Sequence, residues 1–183
     1  MAHVKSEFSK ILIAVDGSRS SMNAADRAIA IAKKEKNSNS PQLLIALYVV
    51  FSRLGYAYSP AGEFGGMDGL AIPNPVKQIL KGAKKEAQQW FEIIQKEINN
   101  NRDNDNDDNN NNENNNNIQL QTEVVVTATS IASAIVEYAK RKNVDLIVIG
   151  TRRGTRSRLK KILLGSVTFE VVNYARCPVM IVK

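Results

Sequence analysis

The sequence has very few of the residues that build metal sites and nucleophilic active sites. Its 183 residues include one cysteine, Cys177, and one histidine, His3. A single cysteine cannot form an internal disulfide, and one cysteine with one histidine excludes a Cys/His zinc site and argues against a His-dependent triad. The longest apolar runs, such as residues 43–51, are about half of the ~20 residues that cross a bilayer, so no membrane-spanning helix is expected. The first ten residues lack an apolar signal core, and export is not expected.

Positive charge is in excess but unevenly distributed. The net charge is +7, and residues 99–117 form a tract of 13 Asn, four Asp, Glu113 and Arg102 that alone carries −4. The other 164 residues therefore carry +11. The tract contains no apolar residue, so burial cannot offset the entropy of ordering it. We predict a single domain over residues 1–183 with a disordered Asn-rich insertion at 99–117; metal chelation by its Asp residues is the less favoured alternative.

Segments typical of strands alternate with segments typical of helices. Apolar runs predict strands at 10–15, 43–50, 144–149 and 179–183, and an alternating pattern predicts another at 118–127. Apolar residues at helical spacing predict helices at 20–36, 76–98, 130–142 and 166–174. Residues 51–75, with five Gly and three Pro, are expected to form a long loop. Cys177 and Met180 are expected to be buried packing residues.

This order of elements predicts an α/β fold, a three-layer open parallel sheet of five strands with helices on both faces. The apolar strands agree with burial on both faces. In such sheets ligands bind beyond the carboxyl ends of the strands, where the winding reverses. Function is therefore expected just after Val15, Val50 and Ile149.

Asp16 follows the first strand directly, in the sequence Val15-Asp16-Gly17-Ser18. Gly17 permits a tight turn, and Ser18 or Ser20 can cap the next helix. The Asp16 carboxylate could bond a ribose hydroxyl or a metal held by phosphates. A plain turn with an acidic cap is the alternative interpretation.

A basic loop bounded by glycines follows the fourth strand. Gly150, Gly154 and Gly165 allow backbone N–H groups to approach an anion, and the helix that starts at Ser166 adds its dipole. Ser166 and Thr168 add hydroxyl donors. Six positive side chains lie between the glycines, at positions 152, 153, 156, 158, 160 and 161. The pattern favours a polyphosphate ligand; a solvated basic loop or a nucleic-acid patch are the alternatives. Neither standard phosphate signature, G-x-x-x-x-G-K-[ST] or G-x-G-x-x-G, is present.

These segments resemble the universal stress protein family. The resemblance is carried by KILIAVDGS from Lys10, LYVV from Leu47, SIASAIVEYAKRKN from Ser130, VDLIVIGTRRG from Val144 and LLGSVTFEVVNYARCPVMIVK from Leu163. It covers the chain apart from the Asn tract. It implies the adenine nucleotide alpha hydrolase-like strand order 3-2-1-4-5, a homodimer through the segment from Pro178 to Lys183, and a cytoplasmic role in stress tolerance or regulation.

The ATP-binding branch of that family carries the motif G-2X-G-9X-G-(S/T). Here the spacing is G-3X-G-10X-G-S, so each interval is one residue longer. Thr127-Ala128-Thr129 also stands where the family usually has Gly and often Pro. The resemblance implies that Val15 and Val49 lie near the adenine and Asp16 near the ribose and phosphates, with Mg²⁺ held through the phosphates. The ATP contacts expected are Val15, Asp16, Val49, Gly150, Thr151, Arg153, Gly154, Gly165, Ser166, Val167 and Thr168.

The function expected is that of an ATP-binding stress-response protein that acts as a nucleotide-dependent dimeric switch. A slow ATPase or nucleotide-dependent transferase is an alternative, for which Asp16 is the only candidate base near the phosphates. A member of the family that binds no nucleotide is another. Nucleic-acid binding is disfavoured because the basic loop contains no aromatic side chain for stacking.

Overall fold

The computed structural model of the chain describes residues 8–34, 42–53, 74–100, 118–151 and 164–183. In these residues five strands alternate with four helices. In chain order they are β1 (Lys10–Ala14), α1 (Arg19–Lys34), β2 (Gln42–Phe51), α2 (Asn74–Asn100), β3 (Ile118–Thr127), α3 (Ile131–Arg141), β4 (Leu146–Gly150), α4 (Ser166–Tyr174) and β5 (Val179–Val182). The predicted elements are all present, with boundaries that differ by up to two residues. None of the described helices is long and apolar enough to cross a membrane.

All five strands are parallel and form one sheet in the order β3-β2-β1-β4-β5. The predicted order 3-2-1-4-5 is thus confirmed. At the centre of the sheet, Ile13 of β1 lies between Ala46 of β2 and Val148 of β4. The chain winds from β1 outward through β2 to β3, and then returns to β4 on the other side of β1. The winding therefore reverses between β1 and β4, and the helices that follow these two strands, α1 and α4, lie on opposite faces of the sheet.

Helices cover the sheet on both faces because successive strand residues point in opposite directions. Leu12 packs with Ile135 and Tyr138 of α3 and with Val171 of α4 on one face. Its neighbours Ile11 and Ile13 pack on the other face with α1 and the second half of α2. Helix α1 turns mainly alanines toward the sheet, namely Ala24, Ala25, Ala28 and Ala32 together with Ile29. Small side chains let this helix approach the strands closely, and so its first turn lies directly beside their carboxyl ends.

Several sequence predictions need adjustment. Met180 is 38% exposed on the edge strand β5 and is not a core residue. A four-residue edge strand has only one neighbour, so one flank of its side chains stays open to solvent. Cys177 is half-buried against the α3–α4 side of the core, and burial raises the pKa of its thiol. Helix α2 reaches Asn100, so the first two residues of the predicted insertion are helical. Residues 101–117 and most of the predicted loop at 51–75 lie outside the described residues.

Candidate functional site

A cleft of about 280 Å³ opens at the carboxyl edge of the sheet, beyond the ends of β1 and β4. Eight of the predicted ATP contacts line it: Val15, Asp16, Val49, Gly150, Gly165, Ser166, Val167 and Thr168. The structure therefore brings together residues from four separate sequence segments at the place where the sheet topology predicts a ligand.

One side of the cleft is apolar. Leu47 and Val49 of β2, Ile131 and Ile135 of α3 and Ile149 of β4 belong to one hydrophobic cluster and line the cleft. Ile131 and Ile135 are one helical turn apart, so both side chains lie on the same face of α3. This side can cover a flat apolar group such as a purine ring.

The turn between β1 and α1 forms a polar side. Asp16 Oδ1 accepts the Ser18 N–H at 3.0 Å, and Gly17 between them has a φ of 73°, a conformation that favours glycine. Ser18 Oγ accepts the Ser21 N–H at 3.2 Å and thereby caps α1. The Ser18 and Ser20 hydroxyls are 3.2 Å apart, and both line the cleft. Local hydrogen bonds thus fix the shape of this turn.

Gly150 has a different role from the one the sequence suggests. A Cβ on Gly150 would lie 2.5 Å from the carbonyl carbon of Ser20 and 2.6 Å from its oxygen. Glycine at this position is therefore required for close packing of the end of β4 against the first turn of α1. Access of an anion to the backbone, the reason predicted from the sequence, stays a prediction.

The first turn of α4 closes the polar end of the cleft. Gly165, at the N-cap, makes no side-chain cap hydrogen bond, and the first backbone bond within the helix runs from Phe169 N to Gly165 O at 2.9 Å. The N–H groups of residues 166–168 precede that bond and have no acceptor within the helix. Thr168 Oγ1 donates to Gly150 O at 3.1 Å and so ties the helix start to β4. Backbone donors and the positive end of the helix dipole therefore border the cleft.

Tyr48 lies on the other face of β2, behind the Asp16 turn. Its hydroxyl donates to Glu86 Oε2 of α2 at 3.1 Å. Partial burial, followed by the nearby Glu86 and Asp16 carboxylates, raises the pKa of Tyr48 to about 12. The phenol is therefore neutral at physiological pH and acts as a hydrogen-bond donor.

Comparison with known proteins decides the family. The family model described as the universal stress protein family matches residues 70–183. A universal stress protein from Methanocaldococcus jannaschii is 31% identical over 176 residues, which cover 96% of this chain and 82% of that protein. The chain belongs to the universal stress protein family.

Solved structures agree with the fold. A universal stress protein from Lactobacillus plantarum superposes with a TM-score of 0.61 at 23% identity, with 96% of this chain and 98% of that chain covered. A universal stress protein in complex with cAMP gives 0.58 at 21% identity, over 97% and 99% of the two chains. A family member from Arabidopsis thaliana with AMP bound gives 0.53 at 17% identity, over 96% and 91%. At these identities the likeness establishes the fold.

Of the other three contacts predicted for this universal stress protein, the structure describes only Thr151. Thr151 is buried, and its N–H donates to Val182 O at 2.8 Å, which continues the pairing of β4 with β5. Thr151 is not among the residues that line the cleft. Arg153 and Gly154 lie outside the described residues.

Sequence reasoning also missed part of the cleft. The sequence places Ile131 and Ile135 on the apolar face of a predicted helix and Leu47 in a predicted strand, and the structure shows that all three line the cleft. A signal existed in α3: its N-cap Ser130 lies at the carboxyl end of β3, which places the first turn of the helix beside the ligand edge. The Thr127–Thr129 segment reaches this cap through a turn in which Thr127 Oγ1 accepts the Thr129 N–H at 3.1 Å. A threonine hydroxyl thus stabilises this turn.

Proposed function

We propose that this universal stress protein binds an adenine nucleotide, with ATP as the first candidate, in the cleft at the carboxyl ends of β1 and β4. In this proposal it acts as a nucleotide-dependent dimeric switch in a cytoplasmic stress response. The observation that carries the proposal is the combination, in one cleft, of an apolar side and a helix start without a side-chain cap. The first suits a purine, and the second suits phosphate.

The size and layout of the cleft support a ligand of this class. Small-molecule sites commonly have volumes from about 300 Å³ upward, and the cleft is close to that limit. In the proposed pose the base lies against Val49, Ile131 and Ile135, and the phosphates lie at the Gly165–Ser166 start of α4. In the same pose the ribose lies at the Ser18 and Ser20 hydroxyls of the β1–α1 turn, which also line the cleft. An adenine nucleotide has the same sequence of apolar, hydroxyl-rich and anionic parts.

Asp16 fits the proposed role of a Mg²⁺ ligand acting through the nucleotide. Mg²⁺ in nucleotide sites is usually held by one or two carboxylates together with phosphates. Within the described parts of the chain, no group of three or more His, Cys, Asp or Glu side chains could hold a metal ion. The proposed Mg²⁺ would therefore arrive with the nucleotide and take Asp16 as its protein ligand.

Two structures of the same fold contain adenine nucleotides, one cAMP and the other AMP. They support an adenine nucleotide as the ligand. Titration with ATP, AMP and cAMP measures which number of phosphates the cleft prefers. ATP is preferred here because the start of α4 offers several N–H donors to an anion, and because the basic loop at 152–161 holds six positive charges.

Isothermal titration with ATP, AMP and cAMP, each with Mg²⁺ and with EDTA, tests the proposal. Asp16→Asn should weaken Mg·ATP binding about tenfold or more, since charge-assisted contacts contribute about 1.5–3 kcal/mol. In EDTA the same variant should bind ATP as well as or better than the unsubstituted protein, because a carboxylate repels metal-free phosphates. Asp26→Asn is the matched control: it removes a carboxylate of α1 that lies in a different groove. Absence of binding by all three nucleotides would refute the proposal.

The proposed dimer uses the free edge of β5. This strand is at the end of the sheet, and Met180 and Ile181 on it are 38% and 37% exposed. An exposed apolar edge strand can pair with a second copy of itself. Light scattering during the ATP titration would give the molar mass with and without nucleotide. A monomer under both conditions would exclude the dimeric switch and leave nucleotide binding unaffected.

A further inference from the structure

We propose that Trp90 of α2 is a positioning residue for the nucleotide site. Its indole ring supports residues 16–18 from behind and keeps Asp16 and Ser18 in the arrangement that receives the ligand. This inference rests on the proposed function. Trp90 lies on the α1–α2 face of the sheet, whereas α3 and α4 cover the opposite face. It therefore acts on the site through the backbone of the turn.

The contact that carries the proposal is between Trp90 and Gly17. A Cβ on Gly17 would overlap the indole atoms Cε2 and Cζ2 and would lie 2.7 Å from Nε1. The ring thus occupies the space where any other residue would have its side chain. Gly17 is flanked by Asp16 and Ser18, both of which line the cleft. The glycine with positive φ and the ring behind it form one packed unit.

Trp90 is itself held in place by neighbours. The ring packs against both hydrophobic clusters of the α1–α2 face. Tyr48 meets it edge to face, with ring centroids 5.1 Å apart and an interplanar angle of 86°, a favoured aromatic geometry. The Tyr48 hydroxyl is anchored on Glu86, one helical turn before Trp90. The ring is therefore fixed by an aromatic contact and a hydrogen bond that both involve α2.

Ligand binding on the cleft side of residues 16–18 and packing of Trp90 on their other side are coupled. On the cleft side, Asp16 and Ser18 are held by the hydrogen bond from Ser18 N to Asp16 Oδ1. On the other side, the indole limits how far Gly17 can move back. A ligand that fixes the turn favours the packed position of Trp90, and by reciprocity the packed ring favours the ligand. Loss of the ring allows the turn to collapse into the space behind it, and ordering the turn then costs binding free energy.

The test compares three variants of the full chain by ATP titration at a temperature where each is folded. Trp90→Ala should weaken ATP binding about tenfold, within the usual range of coupling between sites. Trp90→Phe keeps an aromatic ring against Gly17 and should restore most of the affinity. Ile94→Ala is the control: Ile94 is buried on the same helix one turn later, and its truncation destabilises the fold without removing the ring.

Intrinsic fluorescence gives a second readout, since Trp90 is the chain's single tryptophan. Excitation at the red edge of tryptophan absorption, where adenine does not absorb, should show a saturable change in emission with the dissociation constant found by calorimetry. The inference is overturned if Trp90→Ala binds ATP like the unsubstituted protein, or if Ile94→Ala loses as much affinity as Trp90→Ala. If the unsubstituted protein binds none of ATP, AMP and cAMP, the proposed function fails, and this inference fails with it.

Discussion

Helices α1 and α4 both begin at the cleft, but their first turns use their backbone donors differently. At the start of α1, Ser18 Oγ accepts the Ser21 N–H and Asp16 Oδ1 accepts the Ser18 N–H. At the start of α4, Gly165 supplies no side-chain cap. Donors that are already bonded within their own chain cannot also bind a ligand. Helix α1 therefore contributes the shape and hydroxyls of the cleft, whereas α4 contributes N–H groups without an acceptor in the helix, to which the proposed phosphates would bind.

Helix α3 follows the pattern of α1. Its N-cap Ser130 accepts the Ser133 N–H at 2.9 Å, and its hydroxyl is 3.3 Å from Glu170 Oε2 of α4. The first turn of α3 then lines the cleft with an apolar side chain, Ile131. Of the described helices that begin at the cleft, α1 and α3 have capped first turns and contribute shape or apolar contacts. The first turn of α4 has no side-chain cap and lies at the polar end of the cleft.

The largest effect is expected at Gly150, which packs against the first turn of α1 and accepts a hydrogen bond from the first turn of α4. Gly150→Val places a Cβ against the carbonyl group of Ser20, and backbone atoms cannot move aside as a flexible side chain can. The first turn of α1 must shift away from β4, so the free energy of unfolding should fall by about 1–3 kcal/mol. Urea unfolding followed by circular dichroism measures this change, and ATP affinity should fall as the cleft deforms.

Gly82→Ala provides the matched glycine control for that experiment. Gly82 is exposed in the middle of α2, and a Cβ there would meet nothing within 4 Å. Alanine should stabilise the protein by about 0.5–1 kcal/mol through helix propensity. An unfolding midpoint of Gly150→Val equal to that of the unsubstituted protein would show that α1 and β4 are not in the close contact described.

The sequence predicts the fold well because its main signals are local. Apolar runs and helical spacing locate the elements, and Gly165-Ser166 marks the start of α4. The roles that sequence reasoning missed depend on contacts between distant segments. The steric reason for Gly150 appears only when β4 lies beside Ser20, and the contact between Gly17 and Trp90 depends on how α2 packs behind β1. No local pattern contains that information.

A capping side chain at the start of α4, like the one at the start of α1, should raise the stability of the protein and lower its affinity for ATP. Gly165 has φ −59° and ψ 155°, which any residue can adopt, so Gly165→Asp introduces no backbone strain. The carboxylate should cap the helix and stabilise the ligand-free protein by about 0.5–1 kcal/mol. The same group occupies the donors and repels phosphate, so ATP affinity should fall about tenfold, as charge-assisted hydrogen bonds would be lost.

Thermal unfolding without ligand and calorimetry with ATP measure the two effects separately. Gly165→Ser is the uncharged control and should give a smaller loss of affinity, because its hydroxyl caps the helix without repelling phosphate. If Gly165→Asp binds ATP as tightly as the unsubstituted protein, the anion does not lie at the start of α4.

Removing the cap of α1 should have the smallest effect on ATP affinity and should act mainly on stability. Ser18→Ala deletes the acceptor for the Ser21 N–H and should cost about 1 kcal/mol of unfolding free energy. ATP affinity should fall less than in Gly165→Asp, because the donors assigned to the anion belong to α4 and stay in place. Ser18→Asn retains a capping acceptor and should recover the lost stability, which can be read from urea midpoints. A fall in affinity greater than that of Gly165→Asp would reverse the roles assigned to the two helices, since the start of α1 would then provide the main binding contacts.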